Sequence, residues 1–382
     1  MRFNMLRLNA STKLRQLLVL SLFLLGLLGT ILGIWEYSSY FVESDENETD
    51  ETNSALISEH FEVFEPVLPD RSVSLPDDFK FHPEFQHEWW HYFASLKGDD
   101  GQEYSVQWSF FRIATDERET PGWQNPQIYI ANVVVSSASE VWKEQRLARG
   151  GIGQAGIINN PFRLWIDDWN WRALDSTPFP GRLKVSTDTF GFQLDTVAKG
   201  PYVLNGENGY QKKHDLLPVA SYSLSAPFLS LSGTLHLDGS AIEVEGTAWV
   251  HKEWGSGLLD EELQGWDWFV FNLDDGSALS VSRYRHKHQL PYVYGTLATR
   301  TGKVYQLTDF DISIKPLQMS KQKNGRRIPL QWKISVPEHD IKLTTRIQRG
   351  DMWLPFVIPY WEGPIMANGS NDATGFMQLT GY

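Results

Sequence analysis

The chain has 382 residues, a net charge of −13 and no cysteine. That length accommodates two ordinary domains with sizeable cores. The acidic balance argues against a nucleic-acid partner, which needs a basic face, and the absence of cysteine excludes disulfides, thiolate metal sites and cysteine nucleophiles. Aromatic residues make up 13% of the chain, with 16 Trp, a surplus that either fills cores or walls an apolar pocket.

In chain order, the first element is an uncharged apolar run from Leu17 to Trp35. Its length matches the roughly 20 residues a helix needs to cross a bilayer and exceeds the roughly 7–15 of a cleaved signal. Arg2, Arg7, Lys13 and Arg15 precede it, and Glu36, Glu43, Asp45 and Glu46 follow. That asymmetry keeps the N-terminus in the cytoplasm. Residues 1–40 are therefore expected to be a cytoplasmic tip and single-pass signal anchor in the inner membrane, with the body in the periplasm or outside. Residues 41–75 read as an acidic linker.

After Pro76 the chain reads as strands. Short aromatic and β-branched runs (104–111, 128–135, 229–237, 242–250, 279–284) alternate with Asp-Gly or Asn-Gly turns at 100–101, 238–239, 275–276 and 324–325, which are hairpin signals. No later stretch holds a helical apolar period. The expected fold class is all-β. Trp90-His91-Tyr92-Phe93 followed by Asp99-Asp100-Gly101 resembles Trp266-Asp267-Trp268-Phe269 followed by Asp274-Asp275-Gly276, so two related units are expected, over 76–248 and 249–382.

Several constellations carry chemistry. His87-Glu88-Trp89-Trp90-His91 matches HExxH formally, but that motif binds zinc only on a helix. A strand separates the two histidines by ~13 Å and points Glu88 the other way. No metal and no cofactor is expected. Trp249-Val250-His251-Lys252-Glu253-Trp254, with Gly265-Trp266-Asp267-Trp268, sets ionisable groups among tryptophans. A carboxylic acid in such surroundings can carry a proton near neutrality, while the plainer reading is a structural polar network. Gln107 and Arg112 form a third set, in which Arg112 would pair with Glu88. No G-x-S-x-G elbow, P-loop or dinucleotide fingerprint is present.

FHPEFQHEWWHYFASL (81–96), QWSFFR (107–112), GTAWVHKEWGS (246–256), GWDWFVFNLDDG (265–276) and PYWEGP…GFMQLTGY (359–382) together resemble the AttH/CrtC-type family. The resemblance implies two lipocalin-like β-barrel or sandwich domains. It also implies relatives that include carotenoid 1,2-hydratases, and some encoded beside ABC-type permeases. Carried over by motif, Glu88, Trp89, Trp90, Arg112, Glu253, Trp254, Trp266, Asp267 and Trp268 would be pocket residues. Lys252 stands where the hydratases carry a catalysis-linked histidine and Ser282 where the family has a tyrosine, which leaves His251 as the substitute acid or base. Trp249 and Gln107 join the expected ligand-binding set. The leading expectation is a protein that binds an apolar lipid or isoprenoid-like molecule. The alternatives are a hydro-lyase that protonates and hydrates an isoprenoid alkene, with Glu253, Asp267 or Glu88 as proton donor, and an accessory protein of an ABC-type export permease. A hydrolase lacks a nucleophile.

Overall fold

The computed structural model describes residues 63–382, except 117–119, 176, 218 and 258–262. The expected membrane anchor and most of the linker lie outside the described residues. Among those described, no helix is long and apolar enough to cross a membrane. Strand takes up 62% and helix 3%, so the body is all-β.

The first sheet is built from β1 (His87–Gly98), β2 (Glu103–Ala114), β3 (Gln127–Ser137), β4 (Val141–Arg149), β5 (Ala155–Asn159), β6 (Phe162–Ile166), β7 (Trp169–Ala173), β8 (Gly181–Ser186), β9 (Phe190–Ala198), β10 (Val203–Leu204), β11 (Tyr210–Lys212), β12 (Ala220–Leu237) and β13 (Ser240–Gly255). The second contains β14 (Leu263–Leu273), β15 (Ala278–His286), β16 (Tyr292–Ala298), β17 (Val304–Leu307), β18 (Ser313–Lys321), β19 (Arg327–Val336), β20 (Ile341–Ile347), β21 (Trp353–Leu354), β22 (Tyr360–Gly369) and β23 (Ala373–Thr380).

The sheets repeat one topology. The first runs β4-β3-β2-β1-β13-β12-β9-β8-β7-β6-β5 and the second β17-β16-β15-β14-β23-β22-β20-β19-β18. In each, the last strand of the unit returns to pair with the first. β3 and β4 come against β6, so the first sheet is a nearly closed barrel and the second a half-barrel, in line with two lipocalin-like units. The expected change of unit after residue 248 falls inside β13, all of which pairs with the first sheet.

The Asp-Asp-Gly turns set the register of the repeat. Gly98 N–H donates to the Gln102 carbonyl (2.9 Å) and Gly101 N–H to that of Gly98 (3.0 Å); Leu273, Ser277 and Gly276 reproduce the pattern at 2.9 and 3.0 Å. Only the glycines, at φ 80° and 83°, are left-handed. Asp238-Gly239, by contrast, has both residues at positive φ, as the two-residue hairpin loop of a type I′ turn demands. Matched on these turns, Phe93 corresponds to Trp268 and Leu96 to Phe271, each pair on the same face. Equating Trp90 with Trp266, as the sequence comparison does, sets the two rings on opposite faces, a slip of one residue.

The interior of the first barrel is filled. Trp90 and Tyr92 of β1, Trp108 and Phe110 of β2, and Trp169 and Trp171 of β7 are all buried there, with the Trp171 ring 6.2 Å from both Tyr92 and Trp108. Each such ring contributes roughly 4–6 kcal/mol of apolar transfer free energy. This barrel is thus a packed core. Phe269, Phe271, Trp332 and Trp361 centre the second core, into which Val134 of β3 also packs.

Candidate functional site between the two sheets

Strand alternation sends the other face of β1, β2, β12 and β13 towards the second sheet. Phe93 stacks on Phe376 (4.8 Å, 14°) and meets Trp268 at 5.5 Å. His91 and His251 approach the same Trp268 ring at 5.4 and 5.0 Å. The result is a buried layer between two filled cores, with aromatic walls and many polar groups.

Three polar strings cross this layer. In the first, Lys213 Nζ lies 2.7 Å from a Glu253 carboxylate oxygen and donates to the hydroxyls of Tyr284 (2.8 Å) and Tyr294 (3.3 Å). The other Glu253 oxygen meets His251 Nε2 at 3.3 Å, and His251 Nδ1 meets Ser225 at 3.1 Å. Burial pushes the Glu253 carboxyl up, but Lys213 and His251 outweigh it and leave it at about 2. Burial likewise opposes the charge on Lys213, yet Glu253 and the tyrosines hold its ammonium well above the ordinary value. In the second string, His91 Nδ1 meets Ser109 Oγ at 2.7 Å; burial lowers this imidazole to about 3, so it is neutral at physiological pH.

The third string runs along the second sheet. Trp266 Nε1 donates to Gln378 Oε1, and Gln378 Nε2 to Glu362 Oε2, both at 2.8 Å. Glu362 is 1% exposed, and burial pushes its carboxyl up to about 8, so it carries its proton at neutrality. Further buried atoms of the facing strands have no hydrogen-bond partner among the described residues, His87 Nε2, Gln107 Oε1, Ser221 Oγ and Trp249 Nε1 among them. An unpaired buried polar atom costs ~1–3 kcal/mol, so several in one layer are a sizeable energetic cost.

The candidate residues therefore divide. Glu253, His251, Trp249, Gln107, Trp266 and Trp268 line the layer, with Trp89 at its rim, where it stacks on His87 at 4.7 Å. Glu88, Trp90, Lys252, Trp254 and Arg112 point the other way, into the mouth of the first barrel. There the segment 63–86 crosses over them, bearing the 3-10 turn Asp77–Phe79. Glu88 is held by Lys252 (2.8 Å) and His82 (3.0 Å), and Lys252 also donates to the carbonyls of Asp78 and Lys80. Burial would raise the Glu88 carboxyl, but Lys252 and His82 hold it at about 2. Lys252 lies 4.7 Å over the Trp254 ring, on which His82 stacks (4.3 Å) and against which Tyr222 packs (5.7 Å). Arg112, expected to pair with Glu88, binds Gln127 and the carbonyls of His82, Pro83 and Phe85. Asp267 points into the second core, where Arg283 (2.7 Å) and the Tyr382 hydroxyl (2.7 Å) hold it. Glu88 and Asp267 are thus bound ions outside the layer. β1 is a strand, so His87, Glu88 and His91 lack the shared helical face that HExxH needs. Among the described residues no cluster of His and carboxylates is arranged for a metal.

Sequence reading missed Lys213, Tyr284, Tyr294, Glu362 and Gln378 as site residues. The signal for Glu362 was present: a lone carboxylate in Tyr360-Trp361-Glu362-Gly363, alternating with a Trp that belongs to the core. Lys213 carried none, since it lies in a polar stretch and is buried only by tertiary packing.

The comparisons agree with this architecture. The AttH-like family model matches residues 66–382. A candidate AttH from Nitrosomonas europaea, known from a crystal structure, is 29% identical with a TM-score of 0.75; the match covers 84% of this chain and 100% of that one. Kievitone hydratase from Nectria haematococca shares the fold at 12% identity and a TM-score of 0.62, over 83% of this chain and 96% of its own. No curated protein matches. With the family model spanning the whole two-sheet body, the chain belongs to the AttH-like family.

Proposed function

We propose that the protein binds a small, mainly apolar molecule with a polar end in the layer between its two sheets. The observation that carries this is the set of unpartnered buried atoms, His87 Nε2, Gln107 Oε1 and Trp249 Nε1, facing the aromatic wall of Phe93, Trp268 and Phe376. A layer that only joined two sheets would satisfy its polar atoms or replace them with apolar ones. A lipid or isoprenoid-like ligand fits the apolar walls, and the uncharged run Leu17–Trp35 would keep the body beside the bilayer that supplies it. The test is solvent extraction of the purified full-length chain followed by mass spectrometry, with Trp268→Ala alongside. A discrete lipid-like species carried by the parent protein and lost in the variant is expected. Extracts indistinguishable from a detergent blank would overturn the reading.

A second reading has its own observation. Glu362 is a carboxylic acid that burial keeps protonated, joined through Gln378 to Trp266 in the wall of the layer. Such a group can deliver a proton to an alkene, and an electron-rich indole stabilises the cation that results. The reaction would be a hydration or an isomerisation. Glu362→Gln should then keep the extracted ligand and abolish its conversion. Conversion unaffected by that change would remove the acid from the mechanism.

A further inference from the structure

The two edges of the body differ in chemistry. At the edge where β1 and β14 end, the chain reverses at residues 99–102, 138–140, 238–239, 274–277, 299–303 and 370–372. Those turns are polar and acid-rich, with Asp99, Asp100, Asp238, Asp274, Asp275 and Asp372 among them. No large apolar residue occurs in any of them.

The edge where β1 and β14 begin carries acids too, Asp116, Asp215, Asp309 and Asp311 among them, but its loops also project large apolar side chains. Among the described residues, the large apolar side chains more than three-quarters exposed are Trp123 (76%), Leu216 (79%), Leu290 (90%) and Phe310 (93%). All four lie on loops of this edge: Trp123 between β2 and β3, Leu216 before β12, Leu290 between β15 and β16, and Phe310 after β17. Single exposed apolar residues are ordinary on any surface. Their confinement to one edge is not.

The Leu216, Leu290 and Phe310 loops also gather in space. His214 and His286, which flank the Leu216 and Leu290 loops, meet at 4.6 Å. Burial, with Asp215 and Asp309 nearby, pushes the Tyr292 hydroxyl up to about 12, so the Leu216 and Phe310 loops both lie near Tyr292. The inter-sheet layer comes to the surface at this edge, where Trp89, Trp266, Tyr292 and Tyr294 are only partly buried. The first described residues of the body lie at this edge too. Leu68, 49% exposed, exchanges hydrogen bonds with the Tyr222 hydroxyl through its N–H and carbonyl, both 2.8 Å, and the Tyr222 ring lies 6.4 Å from Tyr210.

We propose that this edge is a membrane-docking surface, on which Trp123, Leu216, Leu290 and Phe310 enter the headgroup region of the bilayer and the mouth of the inter-sheet layer faces lipid. The proposal rests on reading Leu17–Trp35 as the anchor. Projecting loop tips, rather than a flat apolar face, fit a fluid interface that moulds around each side chain, and Trp favours that depth. A ligand drawn from the bilayer would then reach the layer without crossing water.

The cysteine-free chain allows single-site labelling. Full-length protein carrying Leu290→Cys, Phe310→Cys, Asp99→Cys or Thr301→Cys is labelled with a fluorophore and reconstituted into lipid nanodiscs containing spin-labelled phospholipid. Quenching at 290 and 310 is expected to exceed that at 99 and 301 at least twofold. Adding Leu290→Glu to the Phe310→Cys protein should reduce quenching at 310. Equal quenching at both edges in a chain that stays with the discs overturns the docking surface and leaves the anchor intact. Failure of the chain to stay with the discs overturns both.

Discussion

At the scale of single residues, titration separates the buried acids. Glu362 is raised to about 8, so folding binds a proton that the unfolded chain has lost above about pH 4.5. Its environment costs nothing below that pH, and the cost grows as pH rises towards 8. Glu362→Gln should therefore gain on the parent protein by up to ~1.4 kcal/mol per pH unit across that window, as read from denaturant melts at pH 5 and pH 8. A constant difference between the two pH values would mean that Glu362 is not held protonated. Glu88 and Glu253 behave oppositely. Both are lowered to about 2, so their contribution is present above about pH 4.5 and is lost as pH falls towards 2. Lys252→Met strands the Glu88 carboxylate in the barrel mouth and should cost about 3–5 kcal/mol, measured by urea denaturation at pH 7. A loss under 1 kcal/mol would show that His82 alone suffices.

At the scale of elements, the duplication reaches individual contacts. Gly246 of β13 faces Leu96 of β1, and Gly375 of β23 faces Phe271 of β14, at corresponding positions of the two units. A Cβ on Gly246 would overlap the Ser95 carbonyl, and one on Gly375 the Val270 carbonyl. Gly246→Ala and Gly375→Ala should each destabilise by about 1–3 kcal/mol, checked by thermal melts; a neutral Gly375→Ala would show that the second closure is slack. Strands and hairpins were legible because turn glycines and alternating apolar runs act locally. The register of the repeat was not, because matching tryptophans by name ignores which face each occupies. Glu88 and Asp267 illustrate the same limit. Their neighbours in sequence are aromatic, but alternation sends both carboxylates into the barrels, where Lys252 and Arg283 neutralise them.

At the scale of the whole molecule, each unit builds its own core, with Val134 of the first reaching into the second, and the chemistry collects where the two units meet. The sequence motifs pointed to a tryptophan-lined pocket without saying where in the fold it lies. Trp90 and Trp254 are instead core and barrel-mouth residues, while Trp266 and Trp268 wall the shared layer. No local pattern could foretell that, since it depends on how one sheet lies on another. Ser282 faces this layer beside Trp268 and is buried, so a large side chain there would fill it without touching either core. Native mass spectrometry of the intact chain, parent beside Ser282→Trp, is the most direct test of a ligand held between the sheets. One small molecule per parent chain is expected, and none on a Ser282→Trp protein with an undiminished melting transition. A ligand retained by the folded variant, or absent from the parent, would contradict it.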